Sequence, residues 1–254
     1  MSWVSIFSDG LVVGFLLLFF RFAALFLAVP IFSHQSIPMT VKAAMAFFFS
    51  VVFYASMPPL QIEINFPTVV LAILSEFMFG LAIGIILQLA FNVITFAGGQ
   101  ISFMMGFSMA SAIDPQSGVS MPIISQFLSL MALMILFSID MHHWMLLFID
   151  ASLKSVPLGG FLMQENLFNY IIHATSNMFM VGFMIAFPII SLSLLADIIF
   201  GMLMKTMPQF NLLVIGFPIK IMVAFVVLIA TLTATMLILK TQMLNAFNYL
   251  EMFF

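Results

Sequence analysis

The sequence predicts an all-α polytopic membrane protein, and three observations carry that prediction. Apolar residues make up 65% of the 254-residue chain and charged residues only 6%. Mean hydropathy is +1.30. The apolar residues fall in about six long runs, separated by Pro, Gly and short polar stretches, and several are only marginal as spans because Pro and ionisable residues interrupt them. A soluble domain is about 45–50% apolar and about 25% charged. The solvent of this chain is therefore lipid, or other helices equally apolar, and in lipid the backbone must satisfy its own hydrogen bonds.

The runs can be taken in order. The first covers residues 11–32, contains Arg21 and ends near Pro30. Residues 1–10 lack a basic region and no small-residue cleavage site follows the run, which reads as a retained helix. The second run, 41–57, stops at Pro58-Pro59, and a polar stretch with Glu63 follows. The third, 67–97, holds Glu76 and is expected to close at Gly98-Gly99, since glycine suits the positive φ of a helix end. Residues 100–121 are rich in Gly, Ser and Met, too broken for a span and too apolar for an ordinary loop. The fourth run, 122–149, leads into a loop with Lys154, Pro157 and Gly159-Gly160. The fifth, 168–204, carries Pro188, and a tight turn at 205–211 leads to the sixth, 212–239, and a short tail after Lys240. Lys42 and Lys205 fall on one side of a six-span arrangement and Lys154 and Lys240 on the other, so the positive-inside rule returns a tie.

Several function classes are excluded. Without cysteine there is no disulfide, thiolate chemistry or Cys-based metal site. A net charge of −3 with no basic stripe leaves no footprint for nucleic acid. No Ser–His–Asp arrangement, phosphate loop or paired carboxylates are present to carry catalysis, and nothing calls for a cofactor.

Arg21, Glu76, Asp140, Asp197 and Lys220 lie within or at the ends of apolar runs. Ionisable groups there are costly. They either line an ion pathway, pair with each other or with partner subunits, or snorkel at segment ends. Asp140, His142 and His143 suggest a metal site only briefly. Adjacent histidines on a helix point about 100° apart, and no further Glu or His follows at helical spacing. With Trp144 they read as an interfacial belt. Gly10 with Gly14, and Gly80 with Gly84, have the spacing that lets helix backbones approach closely. The chain holds 24 Met and 33 Phe, simple core filling for the most part. Met104, Met105, Met109 and Met121 lie in or beside the broken stretch, where deformable side chains suit a gap that closes and reopens.

Three stretches together resemble the FliR family of flagellar type III export-gate proteins, itself related to the injectisome SctT family. They are "FFRFAALFLAVPIFSHQSIPMTVKAAMA", "EFMFGLAIGIILQLAFNVITFAGGQISFMMGFSMASAIDPQSGVSMPIIS" and "MPQFNLLVIGFPIKI". Weaker support comes from "DMHHWML" and "KSVPLGG". The third stretch is the most specific and favours the flagellar branch. The resemblance implies a FliP-like region over residues 1–165 and a FliQ-like helical hairpin over 166–254. It implies a non-enzymatic gate in which one copy of this chain joins FliP and FliQ, within membrane lipid, to pass unfolded flagellar proteins. FlhB would wrap the cytoplasmic mouth and FlhA lie beneath. The setting would be the bacterial inner membrane at the flagellar basal body, with much of the assembly on the periplasmic side. The family's plug loop would fall at 106–121, using Gly106, Phe107, Met109, Ala112, Ile113, Asp114, Pro115 and Met121. Pro208, Gln209 and Asn211 would form a cytoplasmic turn against FlhB, and Lys220 would meet an acidic group of a neighbouring subunit. Arg21, Glu76, Gly80 and Gly84 would pack between subunits. Asp140 departs from the family, where an uncharged polar residue is common. The rival readings are a secondary transporter with a Glu76, Asp140 and Asp197 proton relay, and a structural membrane anchor.

Overall fold

A computed structural model describes residues 10–33, 37–60, 63–107, 122–207 and 212–253. Among them the chain is helical and contains no strand. The helices are α1 (Gly10–Ala28), α2 (Pro30–Ser33), α3 (Met39–Tyr54), α4 (Phe66–Met105), α5 (Ile123–Ser138), α6 (Met141–Ser155), α7 (Glu165–Thr206) and, after a π-helical turn at Leu212–Gly216, α8 (Phe217–Phe253). Four helices are long and apolar enough to cross a membrane, or five spans if α5 and α6 count as one bent span. The short apolar α3 adds a further segment.

The ends of α4 show how local sequence sets an element. At its start the Thr68 amide donates to Asn65 Oδ1 at 3.1 Å, and the Asn65 amide donates to Thr68 Oγ1 at 3.3 Å. This reciprocal box satisfies two donors that a helix start leaves orphaned. At the other end the helix does not close at Gly98-Gly99 as expected. It runs through them to Met105 and closes at Gly106, whose φ is +87°. The Gly106 amide donates to the Phe103 carbonyl and the Phe107 amide to the Ser102 carbonyl, both at 3.1 Å. That pair of bonds is a Schellman motif with glycine at its left-handed position. Gly98 serves packing instead: a Cβ there would lie 2.5 Å from Ser125 Cα.

Two other boundaries depart from the sequence expectation. The fourth run is two helices, α5 and α6, bent by 61° at a break around Asp140. Asp140 takes the left-handed conformation, φ 55°, which Asp tolerates better than most residues. The sixth run does not end near Leu239, since α8 continues to Phe253. Pro188 lies inside α7 without ending it, as proline can in a helix shielded from water.

The chain forms two compact units, and the long helices α4, α7 and α8 contribute residues to both. In the first unit (residues 1–90, 137–174 and 243–254), one face of α1 is enclosed, with Leu17, Leu18, Phe22, Leu25 and Phe26 inaccessible. Phe22 and Phe26 meet Phe49 of α3 at ring distances of 5.9 and 5.5 Å. Gly80 and Gly84 let α4 lie directly on α1. A Cβ on Gly80 would collide with the Arg21 carbonyl, and one on Gly84 with Ala28 Cβ. In the second unit (91–136 and 175–242), α4 and α5 meet along a polar seam. Ser125 Oγ donates to the Thr95 carbonyl at 2.8 Å, and the Ile124 amide donates to Ser102 Oγ at 3.3 Å. Gly182 of α7 faces the Phe96 ring, 2.6 Å from where a Cβ would stand. Small and hydroxylated residues at helix contacts are what association in lipid requires, because apolar burial alone drives little there.

Gly80→Ala should therefore destabilise the protein, purified with its membrane partners, by about 1–3 kcal/mol, because the backbone carbonyl facing it cannot move aside. Gly99→Ala should be neutral or slightly stabilising, since nothing lies within 4 Å of its Cβ position and alanine favours the helix. Thermal melting in detergent compares the two.

Candidate functional site

The first polar centre lies in the first unit. Arg21 of α1 and Glu76 of α4 are both fully buried and form a bidentate ion pair. Arg21 Nε donates to Glu76 Oε2, and Nη2 donates to Oε1 at 3.1 Å. Arg21 Nη1 donates to Ser152 Oγ of α6 at 3.2 Å, and Ser152 Oγ donates to the Ile149 carbonyl at 2.7 Å. The Gly159 amide donates to Glu76 Oε1 at 2.7 Å. Gly159 has φ +79°, a conformation that favours glycine and aims its N–H at the carboxylate. The guanidinium also stands over the Phe79 ring, 4.3 Å from its centre, an arrangement attractive to a cation.

The network joins α1, α4, α6 and the following loop. Its charges face protein on every side, so Arg21 and Glu76 offer no surface to solvent or ion. Arg21, Glu76, Gly80 and Gly84 make these contacts within the chain. The same enclosure removes Glu76 from the transporter reading, which needs it on a water-lined path. Sequence reasoning missed Ser152, Phe79 and the role of Gly159. The Gly159-Gly160 pair was the one available signal.

The second centre lies in the second unit. Lys220 Nζ of α8 donates to both carboxylate oxygens of Asp197 on α7 at 2.8 Å. Lys220 is thus paired within its own chain. Lys220 is 8% exposed but Asp197 is 51% exposed, amid the exposed apolar residues Leu194, Leu195, Ile198 and Ile199. A cavity of about 230 Å³ beside them is lined by Ser193, Phe200 and Lys220 among others. The Ser193 hydroxyl is buried there with no hydrogen-bond partner.

Of the expected plug residues, Gly106 and Phe107 are described. Gly106 ends α4, and the Phe107 ring meets Phe225 of α8 edge-on at 6.4 Å. Met109, Ala112, Ile113, Asp114, Pro115 and Met121 lie outside the described residues, as do Pro208, Gln209 and Asn211.

Asp140, His142 and His143 form a third cluster, in the first unit. One ligand atom from each lies within 4.8 Å of the others. This differs from the divergence expected of adjacent histidines. Asp140 stands outside the helix in its left-handed conformation, and His143 Nδ1 returns toward its carboxylate at 3.5 Å. The two imidazole rings are 4.2 Å apart.

Long apolar helices joined by a buried ion pair and close glycine contacts define an all-α polytopic membrane protein. The model of the family described as bacterial export proteins, family 1, matches residues 12–246. The chain is 33% identical over 231 residues to the flagellar biosynthetic protein FliR of Bacillus subtilis, covering 89% of each. It is 30% identical over 224 residues to that of Escherichia coli, covering 88% of this chain and 82% of the relative. For that of Aquifex aeolicus the identity is 24% over 252 residues, covering 97% and 95%. The chain belongs to this bacterial export family, the FliR family, and is a membrane-embedded component of flagellar protein export. The family is a structural part of the export apparatus, not an enzyme family.

Proposed function

We propose that the chain is a structural and gating subunit of the flagellar type III export gate. In this reading it builds the entry pore for unfolded flagellar proteins with FliP and FliQ. The observation that carries the proposal is the uncovered length of its apolar helices. Helices α7 and α8 have 42 and 37 residues. At about 1.5 Å per residue these extend about 63 and 55 Å. The hydrocarbon core of a bilayer is about 30 Å thick. Only 33% and 22% of their most apolar windows are buried within the chain. Lipid covers about half such a length, and tilt recovers only a little. The rest needs protein partners equally apolar. The half-exposed Asp197 in an apolar surface argues the same way, because a carboxylate facing lipid is costly.

In this reading one copy of the chain stands in a hetero-oligomer. Residues 1–165 take the FliP-like place and the hairpin of 166–254 the FliQ-like place. The assembly sits in the inner membrane at the basal body and extends toward the periplasm. The turn at 208–211 meets FlhB on the cytoplasmic side, with FlhA below. Residues 106–121 form the plug. Gly106 releases the chain from α4, Asp114 precedes a proline that disfavours helix, and apolar Phe107, Met109, Ala112 and Ile113 seal by excluding water.

Gently solubilised membranes should yield this chain together with FliP-like and FliQ-like proteins, while the chain produced alone should aggregate. A monodisperse, protease-resistant monomer would contradict the proposal. Within the assembled gate, deleting residues 107–113 should leave assembly intact and make the membrane leaky to small ions. Ion flux in cells expressing that gate measures this, and a tight membrane around an assembled deletion variant would move the seal to the partner subunits.

A further inference from the structure

We infer that Asp140, His142 and His143 bind a divalent transition-metal ion of the zinc class at the bend between α5 and α6. Two imidazole nitrogens and one carboxylate oxygen make up a donor set that suits Zn2+, with a fourth position left for water. Bonds of about 2.0–2.1 Å place tetrahedral ligand atoms about 3.3–3.4 Å apart. The separation of His143 Nδ1 from Asp140 Oδ1, 3.5 Å, already matches. The His142 ligand atom falls within 4.8 Å of the other two, so a side-chain adjustment of up to about 1.5 Å completes the triangle.

Three further features favour binding. Asp140 and His143 are 68% and 65% exposed at the side chain, so no other part of the chain covers them. His142 Nδ1 is buried without a hydrogen-bond partner, and a bond from that nitrogen to the ion would satisfy it. The Asp140 backbone, left-handed at φ 55°, is the hinge of a 61° bend. Its amide donates to the Phe137 carbonyl at 3.1 Å, and its carbonyl accepts from the His143 amide at 2.9 Å. A bound ion joins Asp140 to the first turn of α6. The opposing influence is the positive end of the α6 dipole. One carboxylate ligand outweighs it.

The test uses the protein purified with its membrane partners, stripped by chelator and titrated with Zn2+ and then Co2+. The wild-type preparation should take up one equivalent of Zn2+ per copy of this chain, and Co2+ should give the visible absorption of a tetrahedral nitrogen–oxygen site. Asp140→Asn and His143→Ala should each weaken binding at least about tenfold and remove the Co2+ band. His173→Ala should change neither. No stoichiometric uptake by the wild type overturns the inference. So does uptake that survives both Asp140→Asn and His143→Ala, or that is lost with His173→Ala. If a variant fails to assemble, the wild-type Co2+ spectrum decides: an octahedral, all-oxygen spectrum overturns the site.

Discussion

The first unit depends on a charge pair that has no access to water. Arg21 and Glu76 are both inaccessible. Removing two such ions from solvent costs several kcal/mol each, and attraction alone repays this only where the remaining donors and acceptors are satisfied. Here they are. The guanidinium fork matches the carboxylate, Ser152 takes a third N–H, and the Gly159 amide supplies a further donor to Glu76. The bidentate geometry requires arginine, because lysine presents a point charge without the planar fork. Gly80 is one turn beyond Glu76 on the same helix face, and its missing Cβ admits the Arg21 carbonyl. Ion pair and glycine contact thus fix one geometry: α4 can reach Arg21 only where its backbone lies directly on α1.

The second unit solves the same problem less completely. Lys220 is buried and paired, but half of Asp197 stays open among apolar side chains. Water would satisfy that carboxylate in a soluble protein. On an apolar surface it needs a donor from elsewhere, and the long uncovered faces of α7 and α8 need cover as well. A subunit completed by its neighbours carries such features, and they agree with the family's place in flagellar export. Asp197 and the apolar faces around it make the chain a part of an assembly more than a self-sufficient fold.

Much of this was legible in the sequence. The apolar runs gave the helices because their length exceeds what an aqueous core accommodates. Arg21, Glu76, Asp197 and Lys220 stood out because a charge in an apolar run needs a partner. Which charge meets which was not legible, since Arg21 and Glu76 are 55 residues apart and only packing selects the pair. Gly98-Gly99 misled because glycine serves both helix ends and close helix contacts, and only Ser125 on a distant helix decides between them. The break at Asp140 carried no Pro or Gly; a left-handed aspartate in an apolar run leaves a weak signal. Asp140 lies outside α6, so the helical spacing does not hold its carboxylate away from the histidines. His142 and His143 both lie inside α6, and their ring separation of 4.2 Å was not legible from the 100° spacing.

The central claim is that Arg21 and Glu76 act as one unit that fixes α1 on α4. A double-mutant cycle tests it most directly, using Arg21→Met, Glu76→Leu and both together, read by thermal unfolding of the protein purified with its partners. Each single substitution leaves a buried charge unpaired and should cost about 3–5 kcal/mol. The double variant, with no charge left to bury, should be more stable than either single one. Additive losses, or single variants that melt like the wild type, would contradict the account.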